Sequence, residues 1–247
     1  MAYSTAALVT AWLGTNYNST TDLTTAQVTA HIVQADGELD ALLSRKFYKF
    51  NATDSSLTDG TDTYTTPPIL EEASKHLSVV KCMEQIGAKN ANPVYAAKLD
   101  ADNAAWRERI QFMLSPDFRS YTWTYRNETL TFGTNATSWD LDTYQARIGV
   151  PSGGILDSGD PPHIIADSVQ ISSSSTTDGT FTAAQAATMR NGYEFFVYWS
   201  PKHQDWIFQA NTGDITDHIT TLKVTYNWTY ERDLAIDPPV SGILHAG

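Results

Sequence analysis

The chain has 247 residues, an ordinary apolar fraction of 41% and a formal net charge of -12. Length allows one large domain or two modest ones. The acidic balance argues against a nucleic-acid-binding surface, which needs clustered Lys and Arg to neutralise phosphates. No apolar stretch approaches the roughly 20 residues of a membrane span. A single cysteine, Cys82, rules out an intrachain disulfide.

Met1 to Gly14 carries no Lys or Arg, and Ser and Thr interrupt its apolar run, so it reads as a poor signal peptide. Together these features suggest a soluble protein made in the cytosol. The first predicted element is a short helix from Ser4 or Thr5 to Leu13, with Gly14 as its C-terminal cap. Thr24 then opens a long helix reaching Lys46, and Gln27 three residues on completes a capping box. Val28, Ile32, Ala35, Leu39 and Leu42 follow at helical spacing and form one apolar stripe. Gly37 costs this helix about 1 kcal/mol against alanine, which reads either as tolerated drift or as room for another backbone. Asp36, Glu38 and Asp40 fall mostly off the stripe and read as a solvated face rather than a cation site.

Residues 51–66 form a polar loop with Asp59 and Gly60 as its turn signal. Its acidic residues lack the alternating spacing of a calcium loop. Thr66 and Pro67 mark the start of the next helix, with Leu70, Ala73, Leu77, Val80 and Met83 on one side. Asn92 and Pro93 repeat that start signal for a further helix carrying Leu99, Trp106, Ile110 and Met113, and Pro116 stops it. Residues 1–116 therefore read as a small helical bundle.

From Asp117 the apolar period changes to two. Tyr121 to Tyr125, Ile164 to Ile171, Tyr193 to Trp199, Asp205 to Gln209 and Leu222 to Tyr230 all read as strands, with Pro201 to Gln204 as a turn. Thr182 to Arg190 reads as a short helix. The fold class expected is α+β: an N-terminal helical bundle, then an antiparallel β-sandwich or barrel-like domain over residues 117–232. Residues 233–247 read as an extended tail.

Chemistry is hard to find. No nucleophile elbow, phosphate loop or dinucleotide fingerprint occurs, and none of the six histidines shows zinc-protease spacing. His203 and His218 would make a metal pair only if the fold brought them together. Cys82 lies one helical step off a stripe and reads as a buried small hydrophobe. Trp228, Tyr230, Tyr198 and Trp199 read as sandwich core, with stacking on sugar rings as the competing role. No catalytic residue, cofactor or metal is assigned.

The order of the helical elements resembles the head–tail connector (adaptor) proteins of tailed bacteriophages. A short helix ends at Leu13 and Gly14. A second carries Ala35, Asp36, Glu38, Leu39, Asp40, Leu43 and then Phe47 and Tyr48, and a third opens on Pro67 and Pro68. The resemblance covers residues 3–113, and the β-rich half departs from the smallest members. It implies a non-enzymatic structural protein of the virion neck, made in the bacterial host's cytoplasm. Such adaptors form a ring, commonly of twelve subunits, beneath the portal protein. The ring extends the DNA channel without binding DNA specifically and docks a tail or stopper protein.

On that resemblance the stripe of Val28, Ile32, Ala35, Leu39 and Leu42 is expected to help pack subunits. Ile236, Pro238, Pro239, Ile243 and Leu244 in the tail are expected to contact the portal or another partner. The alternatives are another virion component, such as a tail-completion or capsid-decorating protein, and a carbohydrate-binding or hydrolysing β-domain on a helical module.

Overall fold

The computed structural model describes residues 2–14, 17–20, 22–50, 64–89, 93–132, 141, 144–149, 163–176, 183–211 and 219–232. It has two compact units, one of residues 1–53 and 65–119, the other of residues 54–64 and 120–247. The fold is α+β, with the helices first and antiparallel sheets after them. Among the described residues, no helix is long and apolar enough to cross a membrane.

The first unit contains α1 (Ala6–Leu13), α2 (Thr25–Leu43), α3 (Pro68–Lys89) and α4 (Pro93–Leu114). Local chemistry sets their ends. Thr5 caps α1 by accepting the Leu8 N–H, and Gly14 takes φ 90 to close it, a conformation that costs glycine little. The capping box on α2 is complete: Gln27 N–H donates to the Thr24 hydroxyl, and the Gln27 side chain receives the Thr24 N–H. The start of α3 lies one residue later than expected. Pro67 is its last non-helical residue, whose carbonyl accepts from Leu70 and Glu71, and Pro68 takes the first helical position. The α2 helix stops at Leu43, and residues 44–46 form a turn.

The core is built where apolar stripes face each other. Val9 and Leu13 of α1, Val28 and Ile32 of α2, and Val79, Met83 and Ile86 of α3 form one cluster. Cys82 belongs to the same cluster, and burial pushes its thiol up to about 12, so it stays a protonated packing group. Helix α3 is the central element, since residues 73–80 are all buried. Lys46 finishes α4 from a distance: its ammonium donates to the carbonyls of Met113, Ser115 and Phe118 at 3.2, 2.9 and 3.0 Å. It therefore satisfies carbonyls at the negative end of the α4 dipole and just beyond it. Lys46→Met should cost about 2 kcal/mol, measured as a shifted chemical denaturation midpoint, because three acceptors lose a charged donor.

The second unit contains β1 (Trp123–Leu130), β2 (Gln145–Arg147), β3 (His163–Ile164), β4 (Gln170–Thr176), α5 (Ala183–Thr188), β5 (Phe195–Ser200), β6 (Asp205–Ala210) and β7 (Ile219–Thr229). One sheet is organised around β7. Trp228 pairs with Trp123 of β1 on one side and Ile164 of β3 on the other, while β4 continues along the β3 side. The other sheet has the order β2-β6-β5. The ring of His163 stacks on Trp206 at 5.8 Å, and both Glu128 carboxylate oxygens accept the Gly149 N–H at 3.0 Å, joining the two sheets.

Several strand expectations needed correction. Ile164 to Ile171 is not one strand, because a 3-10 turn at Ala166–Ser168 interrupts it. There the Ser168 hydroxyl donates locally to Ile165 O and accepts from Asn227 N–H of β7, so a side chain stands in for a ladder partner. In β1 the register shifts between Tyr125 and Glu128, around Asn127 at φ 56. Tyr193 lies in a turn before β5 and is 70% exposed. The three-residue β2 was too short to carry a period.

Candidate functional site

Helix α2 is the element from which the expected site was built, and it has two distinct faces. Val28, Ile32, Ala35 and Leu39 are almost fully buried. They pack inside their own unit, and of the five residues expected to help pack subunits only Leu42 presents substantial surface. The stripe ends on Leu43 rather than Leu42: Leu43 is 5% exposed and Leu42 is 44% exposed. Leu43 lies four residues past Leu39, only about 40° round the helix, whereas Leu42 lies about 60° off the other way.

The opposite face carries Ala26, Ala30, Val33, Gly37 and Ala41, all exposed, at spacings of four, three, four and four. Val33 is 59% exposed. A Cβ built on Gly37 would meet no atom within 4 Å. No backbone of the described residues therefore approaches Gly37, and any close approach must come from elsewhere. Helix α1 is also apolar outside, with Leu8 38% and Trp12 42% exposed.

The acidic block of α2 is not the uniform solvated face expected. Asp36 is 3% exposed. Its carboxylate accepts from Tyr3 N–H at 2.8 Å and from the Ser74 hydroxyl at 2.5 Å, anchoring the segment before α1 and helix α3. Burial raises the Asp36 carboxyl above its usual range, and these two hydrogen bonds oppose the rise. Asp40 accepts from the Tyr3 hydroxyl and pairs with Lys49. Glu38 alone stays on the surface, paired with Lys81 of α3. These carboxylates are structural ties, and none is a free acid awaiting substrate.

A second polar cluster was invisible in the sequence. His76 of α3 lies within 2.6 Å of Asp102 of α4 through Nδ1, and its Nε2 faces Glu72 at 3.4 Å. The Trp12 indole N–H donates to the same Asp102 oxygen at 2.8 Å, and its ring meets His76 edge-on. The ammonium groups of Lys75 and Lys98 lie 4.6 and 4.3 Å from the Trp12 ring centre. Burial alone would raise the Asp102 carboxyl, but the bonds from His76 and Trp12 and the charge of Lys98 bring it below its ordinary value. An aspartate–histidine pair resembles part of a catalytic relay. Here the far ring nitrogen faces a carboxylate rather than a hydroxyl or thiol nucleophile, so the cluster serves as a staple between α1, α3 and α4.

In the β-unit, Tyr226, Trp228 and Tyr230 are buried to 1% exposure or less, so the aromatic alternation of β7 is core. Trp123 stacks on Trp228 at 4.9 Å, and Tyr64 meets Trp228 edge-on at 5.2 Å. Tyr198 instead lies outward, 36% exposed, with its hydroxyl held by Gln145 and Gln209. His203 is buried in the β5–β6 turn, and His218 lies outside the described residues. The tail contacts Ile236, Pro238, Pro239, Ile243 and Leu244 also lie outside them. No group of three or more metal-ligating side chains occurs among the described residues.

Asp205 has a distinctive titration. Burial raises its carboxyl to about 6, against the pull of Arg147 at 3.3 Å and the Trp206 N–H. The unfolded chain releases that proton near pH 4, whereas the folded one holds it until about pH 6. Stability from this group is thus full below pH 4 and falls as pH rises through that window. The loss should be about 3 kcal/mol, and Asp205→Asn should flatten it. Chemical denaturation of the β-unit at closely spaced pH values checks both results.

Comparison with protein-family models, with curated proteins and with solved structures finds no match to this chain.

Proposed function

We propose that the chain is a structural virion protein, a head–tail adaptor that forms a ring beneath the portal of a tailed bacteriophage. In this role it extends the DNA channel and docks a tail or stopper protein. The observation that carries the reading is the second face of α2. Its inward stripe is fully used within the unit, yet Ala26, Ala30, Val33, Gly37 and Ala41 remain uncovered on the other side. Small side chains let helices approach closely, and a ring of identical subunits needs each to present a helical side wall to the next. The net charge of -12 supports the same reading, since an acidic conduit repels the phosphate backbone and lets DNA slide.

Sugar binding or hydrolysis is less well supported, because Trp228 and Tyr230, two of the four aromatics considered for stacking, are core residues.

Gly37 separates the needs of the folded chain from those of assembly. With open space at its Cβ, Gly37→Ala should stabilise the isolated chain by about 0.5–1 kcal/mol, because alanine is the better helix former. Gly37→Trp combined with Val33→Glu should leave the purified chain folded but block packing between subunits. Infection with phage carrying that double change should yield filled heads without tails. Normal tailed, infectious particles would contradict the role given to this face.

A further inference from the structure

A groove of about 510 Å³ opens beside β4 in the second unit. One wall is residues 169–172, and the other is formed by Ala187, Met189, Arg190 and Asn191, which follow or end α5. Successive side chains of a strand point to opposite faces of the sheet, so a groove that touches the three consecutive strand residues Gln170, Ile171 and Ser172 runs along the strand's edge. The pairing agrees: among the described residues β4 is bonded to β7 alone, and no strand of those residues pairs with its other edge. A register shift between Ile171 and Ser173 limits the straight part of that edge to a few residues. Val169 and Ile171 are buried and give the groove an apolar floor.

The charges in the groove are unspent. Arg190 is exposed, and its guanidinium has no hydrogen-bond or ion-pair partner among the described residues; only its backbone is engaged, the N–H donating to Glu194 and the carbonyl accepting from Tyr193. Asp167 also lines the groove and is likewise unpaired among them. A strand edge unpaired among the described residues, an apolar floor and a planar cation suit an extended peptide better than a compact ligand. Backbone groups would supply affinity, and the arginine would select a carboxylate with two parallel N–H donors. Asp167 would repel a uniformly acidic segment.

We infer that the β4 edge accepts an extended segment of a partner protein by strand addition, with one acidic side chain of that segment seated on Arg190. The inference stands apart from the adaptor reading, since a strand edge of this kind would serve any assembly.

The test is a selection of random linear dodecapeptides, displayed on a carrier, against the immobilised full chain. Enriched peptides should alternate β-forming apolar residues with polar ones and carry a single Asp or Glu. A synthetic copy of the best peptide should slow hydrogen exchange at the amides of residues 170–172. Arg190→Glu should weaken it at least about tenfold, and replacing the peptide's acid with lysine should restore binding to that variant. No enrichment, equal binding to Arg190→Glu, protection elsewhere on the chain, or failure of the charge exchange to restore binding would each overturn the inference. Displacement of the peptide by millimolar acetate alone would overturn it too, since that would reduce the groove to a simple carboxylate site.

Discussion

Replacing Trp228 with alanine should lower the unfolding free energy of the β-unit by about 3–5 kcal/mol, the largest single-residue effect expected in that unit. The reason is its position rather than its size alone. Trp228 is fully buried on the central strand and is paired to β1 on one side and β3 on the other. Its ring is stacked by Trp123 and met edge-on by Tyr64. Truncation removes the apolar burial of an indole and leaves a cavity between three ordered aromatic or strand neighbours that cannot all collapse into it. Equilibrium denaturation followed by near-ultraviolet circular dichroism checks this, because five of the seven tryptophans lie beyond residue 117. Trp228→Phe, which retains a ring, should recover about half of the loss.

The second large effect belongs to Asp102. Asp102→Ala should destabilise the helical unit by about 3–4 kcal/mol, because it strands two buried or half-buried donors at once, His76 Nδ1 and Trp12 Nε1. The same residue sets an acid limit. Its carboxyl is held below the ordinary value, so the folded state favours the ionised form. That contribution is fully present above about pH 4 and disappears as pH falls through the folded carboxyl's own titration. The sign is opposite to that of Asp205. Asp102→Ala should therefore remove part of the acid sensitivity of the helical unit, measured by denaturation at pH 3 and pH 7.

Which features the sequence revealed follows from how local their physics is. The cap on α1, the capping box on α2 and the proline at the start of α4 are set by residues within a few positions of each other, and they were legible. The aromatic alternation of β7 was legible for the same reason. The staple of Trp12, His76 and Asp102 was not, because its members are separated by 26 to 90 residues and none shares a helical period with another. Asp36 was misread as solvated because a buried carboxylate is recognisable only through its partners, Tyr3 and Ser74. The small-residue face of α2 was spelled out in the sequence, but small residues carry no hydrophobic signal. The inward stripe drew attention instead, and Gly37 was the one visible hint of the other side.

Helix α2 closes its own core and keeps small residues exposed on its other side, and the adaptor proposal seats the next subunit of a ring there. Electron microscopy of purified virions carrying a gold-labelled copy of this chain tests it most directly. The adaptor account predicts label at one vertex of each particle, between head and tail. Label spread over the shell, or confined to tail fibres, would contradict it.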